Sequence, residues 1–557
     1  MGSEGVARRI SRAICSKHVR REDWVALMAF GPLLHGQGGR DLSLILVTRR
    51  SDPRVRCLRE HYRDHDVFLA VVGKRVFERD IRRGVLGELL ADKLLIPYLA
   101  LEGKDYLSRM ELELKRRLVI ELLLDVASSF PEFASEIFIE PRYFMYEIIY
   151  RMGRLMPSSA YMFANLLSTP RDRMRNEPRM LLGFISALRE LAARGLVAEA
   201  GGFFRITPKL IRRAHRALAS GFLWRVKGVF RSLSRYALKA LSGLAQPYLS
   251  EKEFFQGKFG SKACMSPLHA IPRPEEFLLI QTSLGLRPAF REAALEEIAR
   301  AIGTVGPRDD IEVSEIGGSL NLVYLVSVRS EEGTVRLVVK RFRNWNNLKW
   351  LSLRLWTLGV KKFAISGRER LKREYTMSKF LHEEGFPVPR IFHVDLRTNS
   401  LVQEFMEGDR LSEVIKAFLF GEEELRRVEA LVEKAGRLLA RIHELGVSVG
   451  DYKPENVIVR PGDQLGLVDL EQATRDGDKA WDVAEFLYYS GHYVPSVSTA
   501  EPFESLVRAF VRGYLGAGGS PSTVGKAPSA KFARVFSIFT PPQVMEAIDR
   551  VCGDELQ

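Results

Sequence analysis

The sequence predicts an α+β chain of several domains, and three observations carry that prediction. At 557 residues the chain exceeds what one hydrophobic core serves. Its first stretch alternates short apolar runs, LSLILV and DVFLAVV, with polar turns, as an α/β domain does. After a long helical stretch, strand-like runs return near Ile311. Hydrophobic residues make up 46% and charged residues 27%, an ordinary globular composition.

Compositional breaks divide the chain into residues 1–101, 102–210, 211–310 and 311–557. The first segment reads as the α/β domain. The second is mostly helical and closes with LLGFISALRELAARGLVAEAGGFFRITP, in which an amphipathic helix ends at Gly195 and two short strands meet at Gly201-Gly202. The third is a basic helical connector containing IRRAHRALASGFLWRVKGVFRSLSRYALKAL, and the last opens with strands separated by SEIGGSLN and EEGT turns.

The formal net charge is +15, so the surface as a whole attracts anions such as nucleotides, nucleic acid, acidic lipid or acidic proteins. An Arg-rich solvated surface explains any one basic face about equally well. Cys15, Cys57, Cys264 and Cys552 lie far apart without metal-ligand spacing, which fits a reducing cytosol rather than a disulfide framework. No start segment has the order of a signal peptide, and no apolar run is long enough for a transmembrane segment. The expected location is cytoplasmic; the oligomeric state is unspecified.

The chemistry-bearing residues lie in the last segment. EIGGSLNLVYLV carries Gly317, Gly318 and Ser319 between two strands, where backbone N–H groups can approach phosphates, although glycine pairs in hairpins are commonly plain turns. TVRLVVKRF places Lys340 at the end of a β-branched strand, a position suited to phosphates or, more mundanely, to a solvated edge. Glu374 lies on the amphipathic helix RERLKREYTMSKFLHEEG, within reach of Lys340, although taken singly it reads as a surface charge. LVQEFMEG, with Glu404 and Met406, offers a strand and then a hinge whose backbone can meet an adenine edge. VGDYKPENVIV then sets Asp451, Lys453 and Asn456 on a tight loop between a helix ending at Gly446 and a buried strand. GLVDLEQA ends a strand at Asp469.

Taken in order, these parts match the needs of phosphoryl transfer, which is mainly positioning and charge neutralisation around ATP and Mg²⁺. Asp451 would accept the proton of the attacking hydroxyl, Lys453 would steady the phosphoryl group, and Asn456 and Asp469 would hold Mg²⁺ through hard oxygen ligands.

At these residues the segment resembles the protein-kinase-like superfamily. DYKPEN is similar to the catalytic loop of serine/threonine protein kinases, but Val449-Gly450 replaces their His-Arg. Gly before Asp resembles the RIO kinases, the small kinase of the KEOPS complex and the aminoglycoside and lipopolysaccharide kinases. Asp469-Leu470-Glu471 replaces Asp-Phe-Gly, as in the lipopolysaccharide-kinase branch, and RDGDKAWDVAEFLYY resembles the next helix of the KEOPS and RIO kinases, with Asp482 as the brace of the catalytic loop. The resemblance spans about Ile311 to Leu515 and implies a two-lobed kinase-like fold. Only a dozen or so residues separate Asp469 from Asp482 and no Ala-Pro-Glu follows, so a long activation loop is not expected.

Three other stretches raise separate expectations. Between Lys340 and Glu374, Trp345, Trp350 and Trp356 accompany Lys349, Arg354, Lys361, Lys362 and Arg368, a pattern suited to RNA or an anionic surface, or to tryptophans packed on the small lobe. FGPLLHGQGGRDLSLILV followed by DHDVFLAVV resembles the nucleotidyltransferase superfamily. Only Asp41 and Asp66 supply carboxylates, while Ser43 and Pro32 replace a carboxylate and a phosphate-holding serine, so an inactive nucleotidyltransferase-like domain is expected. An unrelated α/β domain is the alternative. Residues 180–208 look like a winged helix, which binds DNA or protein; Glu190 and Glu199 weigh against major-groove entry, while Arg212, Arg213, Arg216, Arg225, Lys227, Arg231 and Arg235 supply charge for phosphates.

The expected function is ATP- and Mg²⁺-dependent phosphotransfer by an atypical serine/threonine protein kinase. A small-molecule, sugar or lipid hydroxyl is the alternative acceptor. A nucleic-acid-associated regulator that binds ATP without turnover is the reading from another class.

Overall fold

A computed structural model describes residues 3–35, 42–50, 52, 54–84, 90–155, 163, 166–167, 169–219, 271–302, 310–317, 321–330, 333–343, 363–475, 477–494, 501–537 and 540–557. They form two compact units, Met1–Ile280 and Gln281–Gln557.

The first unit opens with helix Ser3–His18 and strands β1 (Trp24–Phe30), β2 (Leu42–Thr48), β3 (Arg56–Tyr62), β4 (His65–Gly73) and β5 (Leu99–Glu102). The sheet order is β3-β4-β2-β1-β5, with β2 parallel to β4 and antiparallel to β1. Every residue of β2 is buried, which is why LSLILVT reads as a continuous apolar run instead of alternating. Ala7, Ile10 and Ile14, spaced along one helix face, join Leu42, Leu44 and Leu46 in one core.

Next come helix Lys104–Ser129, β6 (Ile137–Ile139) and helices Pro141–Leu155 and Pro170–Ala193. Thr169 caps the last of these by accepting the Asp172 N–H at 3.1 Å. β7 (Val197–Ala200) and β8 (Phe203–Ile206) form the expected hairpin over Gly201 and Gly202, whose φ values of 58° and 84° suit glycine. β6 pairs with β8 and with Leu278–Ile280 of β9 (Leu278–Thr282). The helix acids are matched internally: Glu190 lies 2.9 Å from Arg116 and 2.5 Å from Arg194, and Glu199 lies 3.4 Å from Arg189. Within the stretch read as a connector, residues 271–302 carry β9, β10 (Gly285–Pro288) and helix Leu295–Ile302. Its Arg225, Lys227, Arg231 and Arg235 lie outside the described residues.

The second unit contains β11 (Asp310–Gly317), β12 (Asn321–Ser330), β13 (Gly333–Phe342), β14 (Ile391–Asp395) and β15 (Ser400–Glu404), an antiparallel sheet in the order β11-β12-β13-β15-β14. Helix Gly367–Glu383 follows β13 in the chain. Val326, Leu337, Phe392 and Val402 of the sheet share a core cluster with Ile298. A larger cluster joins helices Leu425–Glu444, Lys479–Gly491, Glu501–Gly516 and Pro542–Asp554. The first and third of these approach so closely that a Cβ on Gly436 would strike the Phe510 carbonyl oxygen, and one on Gly513 that of Glu433. A small sheet of β16 (Asp409–Arg410), β17 (Val457–Arg460) and β18 (Gln464–Leu467) frames the DYKPEN loop. Among the described residues no helix is long and apolar enough to cross a membrane.

Candidate active site

Lys340 stands near the end of β13, one residue before Arg341 and two before Phe342, with its side chain turned inward and 8% exposed. A strand-end lysine read singly is a solvated edge residue; here its Nζ lies 2.8 Å from Glu374 Oε1 and 3.3 Å from Asp469 Oδ1. Glu374 is likewise buried, 1% exposed, on the helix face turned toward the sheet. Burial opposes the charge on Lys340, but Asp469 and Glu374 outweigh it and raise its pKa. Burial raises the Glu374 carboxyl, with Lys340 opposing. Burial would also raise Asp469, yet Lys340 and Lys453 hold it below the usual carboxylate range. Asp469 adopts φ 65°, a left-handed conformation uncommon for a residue with a side chain and concentrated at functional sites.

The DYKPEN loop builds the other half. Lys453 Nζ lies 3.0 and 2.9 Å from the two carboxylate oxygens of Asp451. Asn456 donates its Nδ2 to the Asp451 carbonyl at 2.9 Å and to Asp451 Oδ2 at 3.0 Å, which leaves Asn456 Oδ1 as the end available to a cation. The Val468 N–H donates to the Asn456 carbonyl at 2.9 Å, tying this loop to the segment that leads from β18, which ends at Leu467 and not at Asp469 as expected, to Asp469. Asp469 keeps 32% of its side chain exposed, and an amide oxygen and a carboxylate are hard oxygen donors of the kind Mg²⁺ prefers. The loop rests on Asp482, which accepts the N–H groups of Val449 and Gly450 at 2.8 and 2.6 Å and faces His443 Nε2 at 3.0 Å. Glu485 accepts the Tyr452 N–H at 2.9 Å and the Trp481 indole N–H at 3.0 Å.

Other residues of the chemistry-bearing stretches are more scattered. Gly317 ends β11 opposite Val323; Gly318 and Ser319 lie outside the described residues. Glu404 pairs with Leu337 in the sheet and its side chain holds Arg390 at 3.0 Å. Met406 follows β15 with its sulfur packed over Gly466 of β18, where a Cβ would collide with it. In the first unit Asp41 lies outside the described residues, Ser43 is buried in β2, and Asp66 receives His61 Nδ1 at 3.0 Å. Trp345, Trp350 and Trp356 with Lys349, Arg354, Lys361 and Lys362 also lie outside them.

Sequence reasoning passed over one buried network. Arg370 is fully buried, and its Nη1 donates to Asn321 Oδ1 at 2.7 Å and to both Glu471 oxygens at 3.1 and 3.2 Å. Asn321 Nδ2 donates to Glu471 Oε2 at 2.6 Å. The available signals were the four-residue step from Arg370 to Glu374, which sets both on one helix face, and Glu471 in the third position of the Asp469 motif, where glycine is usual.

Residues 312–449 match the model of the phosphotransferase enzyme family, a span that includes Lys340, Glu374, Glu404 and Met406. The KEOPS complex subunit Bud32 of Pyrococcus abyssi is 34% identical over 109 residues, 20% of this chain and 47% of that protein. The EKC/KEOPS complex subunit bud32 of Dictyostelium discoideum is 27% identical over 138 residues, 23% and 53%. The serine/threonine-protein kinase rio2 of Schizosaccharomyces pombe is 25% identical over 190 residues, 34% and 48%. The chain thus spans about half the length of these relatives. The C-terminal unit therefore carries a phosphotransferase-family, protein-kinase-like region with distant Bud32 and RIO-type relatives.

Proposed function

We propose that the second unit transfers the γ-phosphoryl group of ATP to a hydroxyl, as an atypical serine/threonine protein kinase. The observation that carries this reading is Lys340 held between Glu374 and Asp469 at 2.8 and 3.3 Å, beside a loop on which Asp451, Lys453 and Asn456 are mutually bonded. Lys340 would bind the ATP phosphates. Asn456 and Asp469 would hold Mg²⁺, which neutralises phosphate charge when bound. Asp451 orients the acceptor hydroxyl; as its oxygen bonds to the γ-phosphorus and the bond to the bridging oxygen breaks, the proton passes to the Asp451 carboxylate. Lys453, whose pKa rises because Asp451 outweighs burial, keeps its positive charge beside the moving phosphoryl group.

The short segment after Asp469 supports a second reading. It is pinned early, with Ser448 and Thr474 exchanging backbone hydrogen bonds at 2.8 and 2.9 Å, a compact arrangement that suits a small-molecule acceptor as well as a folded protein. Incubation with γ-labelled ATP and a cell extract separated into protein, RNA and small-molecule fractions decides between them. Asp451→Ala and Asp469→Ala are each expected to abolish transfer while the chain stays folded. Full turnover in either variant would remove the kinase reading, and ATP binding without transfer would favour a regulator.

A further inference from the structure

The helix that carries Glu374 is joined to the segment that carries Asp469 by more than the Lys340 pair. Arg370 sits one turn earlier on the same face, so the two side chains point toward the same loop. Its guanidinium reaches Glu471, Asn321 and the backbone carbonyl of Arg343 at the end of the sheet. The next residue continues the join: Gln472 Oε1 accepts the Ala364 N–H at 2.9 Å and its Nε2 donates to the Ala364 carbonyl at 3.3 Å, just before the helix begins. Asn321 opens β12, so one cluster ties together that strand, the helix and the Asp469 segment.

We propose that Arg370, Asn321 and Glu471 are positioning residues, a built-in brace that holds the Glu374 helix and the Asp469 segment in register so that the phosphoryl-transfer site stands assembled without an external trigger. This rests on the phosphotransfer reading above. A carboxylate two residues from Asp469 invites assignment as a further metal ligand, but both Glu471 oxygens are engaged by Arg370 and Asn321 and the residue is 4% exposed. Arg370, Asn321 and Glu471 hydrogen-bond one another in a buried setting where a missing partner is costly, which resists sliding of the helix. Where kinases with long activation loops gain this order by phosphorylation, here a buried ion pair between helix and loop supplies it.

The test uses the full chain and three readouts: phosphotransfer kinetics, affinity for a fluorescent ATP analogue with Mg²⁺, and amide hydrogen exchange in residues 367–383 and 465–475. Glu471→Gln is expected to melt cooperatively, to lose roughly 10²-fold in kcat with little change in acceptor KM, and to exchange faster in both segments. Arg370→Met/Glu471→Leu removes both charges, which lets the core repack if either single variant fails to fold; it is expected to fold and still turn over roughly 10²-fold slower. Unchanged exchange in residues 367–383, or wild-type kcat in the double variant, overturns the brace. If the wild-type chain transfers no phosphate at all, the functional reading falls separately, and the exchange data alone then decide: faster exchange in both segments of Glu471→Gln sustains the brace, and unchanged exchange overturns it.

Discussion

Asp482 accepts the Gly450 backbone N–H at 2.6 Å from a fully buried position, and so sets the backbone that presents Asp451. Gly450 has φ 77°, open to glycine and unfavourable for residues with a Cβ, which accounts for glycine where serine/threonine protein kinases place arginine. Asp482→Asn puts an amide against donors that need two acceptor oxygens. The expected loss is about 1–3 kcal/mol of stability in urea unfolding and roughly 10²-fold in kcat by single-turnover assay. Wild-type kcat in the folded variant would uncouple Asp482 from the loop.

Lys340 and Glu374 form a buried pair, so breaking it differs from replacing it. Lys340→Met leaves Glu374 buried without its cation, and is expected to cost about 3–5 kcal/mol in addition to activity. Lys340→Met/Glu374→Leu should recover most of the stability and, on the proposed function, none of the turnover, because the cation proposed to bind phosphate is still gone. Denaturation midpoints beside initial rates separate the two effects; recovered turnover in the double variant would mean Lys340 does not contact ATP.

Burial pushes the Cys15 thiol up to about 12, and burial with Asp549 nearby does the same for Cys552. Both folded values exceed the unfolded value near 9.0, so the stability these thiols contribute is complete below about that pH and is lost as pH rises through 12. At pH 8 native iodoacetamide labelling read by mass spectrometry should therefore modify the half-buried Cys57 well before Cys15 or Cys552. Equal rates at all three would show that the two cores open.

Arg212 and Arg213 are exposed on helix Pro208–Ala219, at the start of the basic tract that reads as a polyanion surface. Binding to a mixed tRNA pool is expected to weaken steeply with salt, each contacted phosphate adding about one unit to the log-log slope. Arg212→Glu/Arg213→Glu/Arg216→Glu should flatten that slope; an unchanged slope removes the tract from the binding surface. Arg370, in the basic stretch between Lys340 and Glu374, is fully buried against Glu471 and adds nothing to such a surface.

Several features are legible in local sequence pattern alone. The β7–β8 hairpin follows from Gly201-Gly202, whose positive φ values only glycine adopts freely, and the buried β2 from a run that is apolar except at Ser43 and Thr48. The loop carrying Asp451, Lys453 and Asn456 is equally legible, because its members lie within six consecutive residues and one turn brings them together. By itself, then, the sequence determined the strongly patterned strands and helices, the compact DYKPEN loop and the order of parts, but not the strands β9 and β10 within the stretch read as a helical connector. Tertiary structure alone decided which charges are buried. Lys340 and Glu374 each read singly as surface residues, and 150 positions separate Asn321 from the Glu471 it donates to. Burial depends on what packs against a side chain from distant parts of the chain, and a charge becomes tolerable there only when its partner arrives with it.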